Sequence, residues 1–278
     1  MPRDRVVVVG AGVAGLVAAF ALAARGLDVT LLERGAAPGG KMRQIAIGDA
    51  RIDSGPTVFT MRWVFDELFA AAGKHFADHV RLRPLEILAR HAWDENARLD
   101  LFADQDRAVD AIGDFAGAAE AARDQSFCRD TRRIYDLLEK SFLRAPQPSI
   151  SGLIGTGGFR GLTQLHQIKP FASMWSALSR YFHDPRLRQL FGRYATYCGS
   201  SPFKAPATLM LVAHVEREGV WSIDGGMQGL ARALADSAKA LGAGIRYDQD
   251  VAEVLIQKGR AGGVRLSNGE HIEADAVI

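Results

Sequence analysis

The sequence predicts an α/β fold built on a parallel sheet, with a second, α+β domain inserted into the first. Three observations carry that expectation. Val6–Val9 is an unbroken β-branched run, of the kind buried on both faces of a parallel sheet. Gly10, Gly12 and Gly15 follow as G-x-G-x-x-G, at the point where an apolar helical stretch begins. "LDVTLLE", Leu27 to Glu33, then reads as a second strand that closes on an acid.

The same opening has a competing reading. No residue from Val6 to Ala24 is charged, and Arg3 and Arg5 precede the run, the outline of a signal peptide or a short membrane span. The glycines decide for a Rossmann-like nucleotide cradle. In such a strand–turn–helix the first glycine permits the tight turn, and the second admits the pyrophosphate to the backbone. The third lets helix and strand pack closely, with the phosphate charge at the helix N-terminus. Arg25 and Gly26 supply a cation and a glycine where the helix should stop. Glu33 lies about 20 residues past the glycines, where a carboxylate holds a ribose hydroxyl. A leader peptide has no reason to be followed by that strand and that acid. Gly10, Gly12, Val13, Ala14, Gly15, Glu33 and Arg34 form the first group of expected cofactor contacts.

Bulk properties narrow the remaining classes. A chain of 278 residues, 48% hydrophobic and 24% charged, has the composition of an ordinary globular protein with a substantial core. Its net charge of +2 leaves no electrostatic footprint for nucleic acid. Cys128 and Cys198 are too few and too far apart for a disulfide framework or a metal site, so reduced thiols in a cytoplasmic compartment are expected. His75 and His79 stand at i, i+4 without a third ligand in a motif spacing, so they read as a solvated helix end and no metal is expected. Arg129, Arg132 and Arg133 read as a solvated helical face.

Along the chain, "RGAAPGGKMR" is a loop, and "ARIDSGPTVF" a short strand entering a turn at Gly55-Pro56. A helix is expected from Trp63 to Ala72. "VRLRPLEILARHAWDENARLDLF" reads as a hairpin about Asp94-Glu95-Asn96, and 106–142 as helix with an Asp N-cap. "RAPQPSISGLIGTGGFRG" is a loop or mobile lid, followed by helices over 171–183 and 185–197. Asp224-Gly225-Gly226 opens a further helix, and short alternating strands end the chain. The cofactor domain is therefore expected to be discontinuous, over 1–79 and 219–278, with a substrate domain over 80–218.

The residues after Glu33 add a second motif. Pro38, Gly39, Gly40, Lys41 and Met42 follow at a fixed distance, and Leu16, Ala19, Leu22, Val29 and Leu32 supply the apolar positions of a longer fingerprint. This pattern resembles the FAD-binding signature of the flavoprotein amine oxidase superfamily. The glycine pair turns the backbone against the cofactor, and Lys41 reaches toward the pyrophosphate oxygens. "DSGPT", Asp53 to Thr57, resembles the stretch that follows the signature in phytoene desaturase-type carotenoid desaturases. Gly225-Gly226 before a helix and Val251 in "DVAEV" fit the same superfamily, although alone they are a helix-entry turn and a strand residue. The resemblance implies FAD as cofactor. It adds Gly39, Gly40, Lys41, Met42, Gly55, Pro56, Thr57 and Val251 to the expected contacts, the last through its backbone beside the adenine.

"GPTVFTMRWVFDELF", "PRLRQLFGRYATYCGSSPFKAPA" and "GVWSIDGGMQGLARALA" narrow the resemblance to bacterial hydroxyneurosporene desaturases, the 1-hydroxycarotenoid 3,4-desaturases. It implies an oxidoreductase that desaturates an acyclic hydroxylated carotenoid at C3–C4, on the route to photosynthetic pigments. Members of this family carry a second flavin-contacting segment near the C-terminus, preceded by a Gly/Pro-rich turn. Here the sequence stops at Ile278 inside an apolar strand, so a sequence that continues further is expected. Phe159, Phe171, Trp175, Tyr181 and Phe182 lie beside Arg160, Lys169 and Arg180, which suits peripheral docking on a cytoplasmic membrane surface without a span. A core role for these aromatics is the competing expectation. A complex of carotenoid-biosynthesis enzymes is a further implied partner. No catalytic acid or base stands out: His91, His166 and Asp224 are candidates, each with an equally good structural role. An amine or protoporphyrinogen oxidase with the same flavin motifs, and a non-catalytic flavin-binding scaffold, remain as alternatives.

Overall fold

The computed structural model describes residues 4–145 and 172–278. In chain order its first elements are β1 (Arg5–Val9), α1 (Val13–Ala24), β2 (Asp28–Leu32), β3 (Gln44–Ile47), β4 (Ala50–Asp53), α2 (Arg62–Ala70) and β5 (Leu82–Pro84). Next come β6 (Ile87–Ala92), β7 (Arg98–Phe102), α3 (Gln105–Ala116), α4 (Ala118–Leu138), α5 (Met174–Tyr181), α6 (Pro185–Gly192) and α7 (Leu211–Arg217). The last are β8 (Trp221–Ile223), α8 (Gly226–Ala240), β9 (Gly244–Arg246), β10 (Val251–Gln257), β11 (Arg260–Leu266), β12 (His271–Glu273) and β13 (Ala276–Val277). They divide into two compact units: the residues up to Pro84 with Trp221–Ile278, and Leu85–Val220.

In the first unit β1 and β2 run parallel, with β9 beyond β2 and β13 beyond β1, in the order β13-β1-β2-β9. The opening valine run has a direct explanation here. Val6 and Val8 face a core shared with α1 and α8, while Val7 faces the opposite side, where it packs with Leu32, Val264 and Leu266. With a side-chain period of two, a strand covered on both faces needs an apolar residue at every position. α1 owes its uncharged composition to burial against the sheet and α8, with Leu16, Ala19, Phe20 and Ala23 inside and the Phe20 ring 4.7 Å from that of Phe69. Among the described residues no helix is long and apolar enough to cross a membrane. β10, β11 and β12 form an antiparallel sheet on the far side.

The extended segment before residue 103 differs from the expected single hairpin. β6 and β7 do pair antiparallel about the predicted turn, where the Asp94 carboxylate accepts from the amides of Asn96 (2.8 Å) and Ala97 (2.7 Å). β5 instead pairs antiparallel with β8, Leu82 opposite Ile223. That ladder ties residues 82–84 and 221–223 to the first unit, so the units meet at 84/85 and 220/221 rather than at 79/80 and 218/219. No local pattern in either strand announces a partner about 140 residues away.

The second unit is mainly helical. Asp104 caps α3 by accepting from the Arg107 amide at 2.9 Å, two residues before the expected start. Gly117, at φ 94, separates α3 from α4, so the stretch over 106–142 is two helices followed by a π-helical turn at Glu139–Leu143. The helix expected over 185–197 is α6 to Gly192, and it tightens into a 3₁₀ turn at Arg193–Cys198. Phe127, Phe182 and Phe191 pack together in the core, with Phe191 4.8 Å from each of the other rings. This corrects two of the aromatics expected at a lipid-facing surface, Tyr181 and Phe182. Phe182 is fully buried and Tyr181 is buried with its hydroxyl donating to Asp130 at 2.6 Å, because both close the aromatic core rather than face outward. Trp175 is half-buried against Phe203, at 4.9 Å. Phe159, Arg160, His166, Lys169 and Phe171 lie outside the described residues.

Two ion pairs are enclosed in this unit. Glu216 accepts from both terminal nitrogens of Arg193 (3.0 and 2.7 Å) and from the hydroxyls of Tyr194 (3.1 Å) and Tyr197 (2.7 Å). Asp124, fully buried, accepts from Arg217 at 3.1 Å through both oxygens, and burial beside it pushes the Cys128 thiol up to about 12. Removing one partner of such a pair strands the other charge. Asp124→Ala is therefore expected to cost about 3–5 kcal/mol in urea denaturation, whereas Asp124→Leu with Arg217→Met should recover most of the loss.

Candidate cofactor-binding site

Two glycine turns of the first unit meet at the C-terminal end of β1. The Gly10 amide donates to the Leu32 carbonyl at 2.7 Å, which anchors the first turn to β2. α1 starts immediately after Gly12, its N-cap, which offers no side-chain acceptor. The first amides of α1, those of Val13, Ala14 and Gly15, have no acceptor within the helix, and they face the turn with the positive end of the helix dipole. Val13 and Ala14 are exposed. The glycines are not equivalent. A Cβ at Gly15 would lie 1.9 Å from the Gly10 carbonyl oxygen, so this residue must be glycine for the helix to sit on the turn. A Cβ at Gly12 would meet nothing within 4 Å. The first absence serves packing and the second leaves open space over bare backbone.

The second turn lies against the first. The Gly39 amide donates to the Ala11 carbonyl at 2.8 Å, and Gly12 and Gly39 form an isolated parallel bridge. Gly39 and Gly40 take φ of 134° and 58°, and a Cβ on Gly40 would come within 3.2 Å of the Gly12 Cα. Lys41 is exposed beside it, while Met42 buries its side chain in the core and presents only backbone. The third loop is layered on the second. A Cβ at Gly55 would lie 1.9 Å from the Lys41 carbonyl, and the Ser54 amide donates to the Arg43 carbonyl at 2.9 Å. Gly55, Pro56 and Thr57 are all exposed there.

Glu33 stands at the end of β2, as its position predicts. Its carboxylate accepts from the amides of Ala11 (2.6 Å) and Gly35 (2.7 Å), which fastens the first turn to the loop that leads to the second. Each oxygen keeps a further lone pair for a ribose hydroxyl. Arg34 is exposed. Val251 lies farther along a path that runs past Glu33: the Gln249 amide donates to the Glu33 carbonyl at 2.8 Å, and Val251 then opens β10. The structure thus brings the residues predicted from Gly10 to Thr57 into one layered set of loops. A phosphate-bearing group fits what is present: bare backbone at Gly12 and Gly40, a helix N-terminus, and an acid at the end of the next strand.

Residues 13–278 match the family described as flavin containing amine oxidoreductase. The chain belongs to that family. Among curated proteins it is 56% identical over 275 residues to hydroxyneurosporene desaturase of Rubrivivax gelatinosus, covering 99% of this chain and 52% of the relative. It is 43% identical to the enzyme of the same name from Cereibacter sphaeroides, covering 99% of this chain and 55% of the relative. The chain thus spans about half the length of the curated relatives it matches. A solved structure of wild-type putrescine oxidase bound to putrescine superposes with a TM-score of 0.61 at 17% identity, over 99% of this chain and 57% of that one, a likeness of fold. A flavin is the cofactor of the amine oxidoreductase family.

One residue escaped the sequence reading as a functional position. Asp53 reaches from the end of β4 to the start of α8, where its carboxylate accepts from the Met227 amide at 2.9 Å. Gln44 donates to the Gly225 carbonyl at 2.9 Å beside it. α8 begins at Gly225 without a capping side chain of its own, so Asp53 serves as the cap from a distant segment. A Cβ on Gly226 would sit 2.5 Å from that carboxylate, which is why the glycine pair belongs there. The missing local cap at Gly225 was the available signal. Asp224, a catalytic candidate, is ion-paired to Arg83 at 2.7 Å. His91 lies in the second unit on β6, where burial lowers its pKa, and its Nε2 has no protein partner. His79 contacts the Ser237 hydroxyl at 3.1 Å through Nδ1, and among the described residues no group of three or more His, Cys, Asp or Glu converges on a metal position.

The two glycines make separable predictions. Gly12→Val should leave the fold intact and lower flavin affinity roughly ten-fold or more, read by flavin absorbance of the purified protein. Gly15→Ala should destabilise the protein itself, by about 1–3 kcal/mol or more, because the new methyl overlaps a carbonyl. Asp53→Ala should cost about 1 kcal/mol in thermal or urea unfolding, and Asp53→Asn, which keeps an acceptor, distinctly less.

Proposed function

We propose that this chain serves FAD-dependent desaturation of an acyclic hydroxylated carotenoid, a C3–C4 dehydrogenation in carotenoid biosynthesis. The observation that carries the reading is the 56% identity, over 275 residues, to the Rubrivivax gelatinosus hydroxyneurosporene desaturase. The first unit holds FAD and the second receives the carotenoid. FAD, when bound, supplies the acceptor for a hydride from one carbon, while the neighbouring carbon releases a proton.

The chain's own residues bind and orient. The α1 amides of Val13, Ala14 and Gly15 take the pyrophosphate, with Lys41 at its edge, and Glu33 takes the ribose. Gly39, Gly40 and the Gly55–Thr57 loop leave the flavin side of the cofactor bounded by backbone, and Val251 offers its backbone to the adenine. Glu33 has a double task, since its two backbone bonds keep the loops in register while its remaining lone pairs face the ribose.

A substrate of this class dissolves in bilayers rather than water, which supports peripheral association with the cytoplasmic side of a membrane, among other enzymes of the same biosynthesis. Full-length protein incubated with hydroxyneurosporene in lipid should give a red-shifted product with one further conjugated double bond. Neurosporene, which lacks the hydroxyl, should turn over more slowly, since a polar group left unpaired in a dry tunnel costs about 1–3 kcal/mol. Oxidation of an amine with neither carotenoid consumed would overturn the assignment.

A further inference from the structure

A cavity of about 480 Å³ opens in the first unit away from both glycine turns. Its rim carries Arg62, Arg81, Arg83 and Asp224, over a floor that includes Val80 and Leu82. Three arginines and one aspartate thus line it. Their partners are unequal. Arg83 pairs with Asp224 at 2.7 Å, and Arg62 pairs with Asp66 on the next turn of α2 at 3.1 Å. Arg81 has no ion-pair partner among the described residues.

The local structure explains why the three converge. β5 turns Leu82 toward the core of the unit, so its neighbours Arg81 and Arg83 fall on the opposite side. Asp224 is pinned from both ends, its amide donating to the Arg81 carbonyl at 3.1 Å and its carboxylate meeting Arg83. Arg62 is the first residue of α2, immediately after Met61, a non-glycine residue held in the left-handed region at φ 52°. Backbone strain of that kind concentrates at binding and switch positions.

We propose that this cavity is a binding site for a phosphate-type oxyanion, separate from the nucleotide cradle. A guanidinium presents a planar fork that bonds two oxygens at once, and a phosphoryl group offers several oxygens to several forks. Among the described residues Arg81 is the uncommitted fork. The Arg83–Asp224 pair is solvent-exposed, with 73% of the Arg83 side chain accessible, so it holds Arg83 weakly and yields to a stronger anion. The same chemistry comes from a free phosphate or from the phosphodiester of a lipid headgroup, and the apolar floor at Val80 and Leu82 is compatible with either. The site stands on the geometry of the first unit alone and requires no carotenoid chemistry.

The test uses full-length, flavin-loaded protein and the variants R81Q, R81Q/R83Q and R81K/R83K, with bound-flavin absorbance reporting the fold. Inorganic phosphate is titrated by calorimetry at low ionic strength, and flotation is measured on vesicles of phosphatidylglycerol against phosphatidylcholine. Wild-type protein should bind at least one probe, with affinity falling roughly ten-fold or more in R81Q/R83Q and partly recovering in R81K/R83K. Phosphate binding identifies a soluble anion, and flotation on phosphatidylglycerol without phosphate binding identifies a headgroup. Binding of neither probe, or equal binding by wild type and R81Q/R83Q, overturns the proposal.

Discussion

The amide of Gly39 reaches the carbonyl of Ala11 at 2.8 Å, and the site depends on that one backbone approach. It brings a loop from beyond β2 against the turn that ends β1, closely enough that Gly12 and Gly39 register as a bridge. A side chain at Gly40 would press on Gly12, and one at Gly39 would overlap the Met42 carbonyl at 2.4 Å. The approach of the second turn to the first requires glycine at position 40, whereas Gly15 and Gly39 are required by carbonyls of their own turns. Glu33 then locks the arrangement from below by accepting from Ala11 and Gly35. The third loop follows the same logic, with Gly55 seated on the Lys41 carbonyl. The three loops thereby present backbone to one another, and bare amides of this kind can bond phosphate without a side chain that must be ordered first.

The two units are stabilised in different ways. The first depends on area: a parallel sheet with Val6, Val7 and Val8 of β1 all buried, helices on one face and an antiparallel sheet on the other. The second adds enclosed charge to its aromatic core. Asp124–Arg217 and Glu216–Arg193 hold α4 and the Arg193–Cys198 turn to α7, and Glu216 has a hydrogen-bond donor for each lone pair it is offered. Buried pairs contribute less net stability than apolar packing of the same volume, but they penalise misplacement of a helix heavily. Such a unit has a defined interior even where its helices are short.

Likeness of fold and likeness of sequence answer different questions here. The match to putrescine oxidase, at 17% identity, concerns the arrangement of sheet and helices and nothing about what is oxidised. The desaturase relatives match through both units at 43–56% identity, and so include the second unit, where the chemistry of the glycine loops is silent.

The sequence by itself determined the parallel sheet, the helix of uncharged residues and the sites of both glycine turns. Each is written in local spacing: a valine run, three glycines in six residues, an acid at the end of the next strand. Hairpin β6–β7 and the helix after Asp224-Gly225-Gly226 were legible for the same reason. Tertiary structure alone decided what depends on residues far apart in the chain. It paired β5 with β8 and so set the limits of the units. It assigned Asp53 to cap a helix that starts at residue 226, and it paired Asp224 with Arg83. It also turned Tyr181 and Phe182 inward. An aromatic beside a cation has the same letters in a core as at a lipid surface, and only the neighbours supplied by distant segments distinguish burial from exposure.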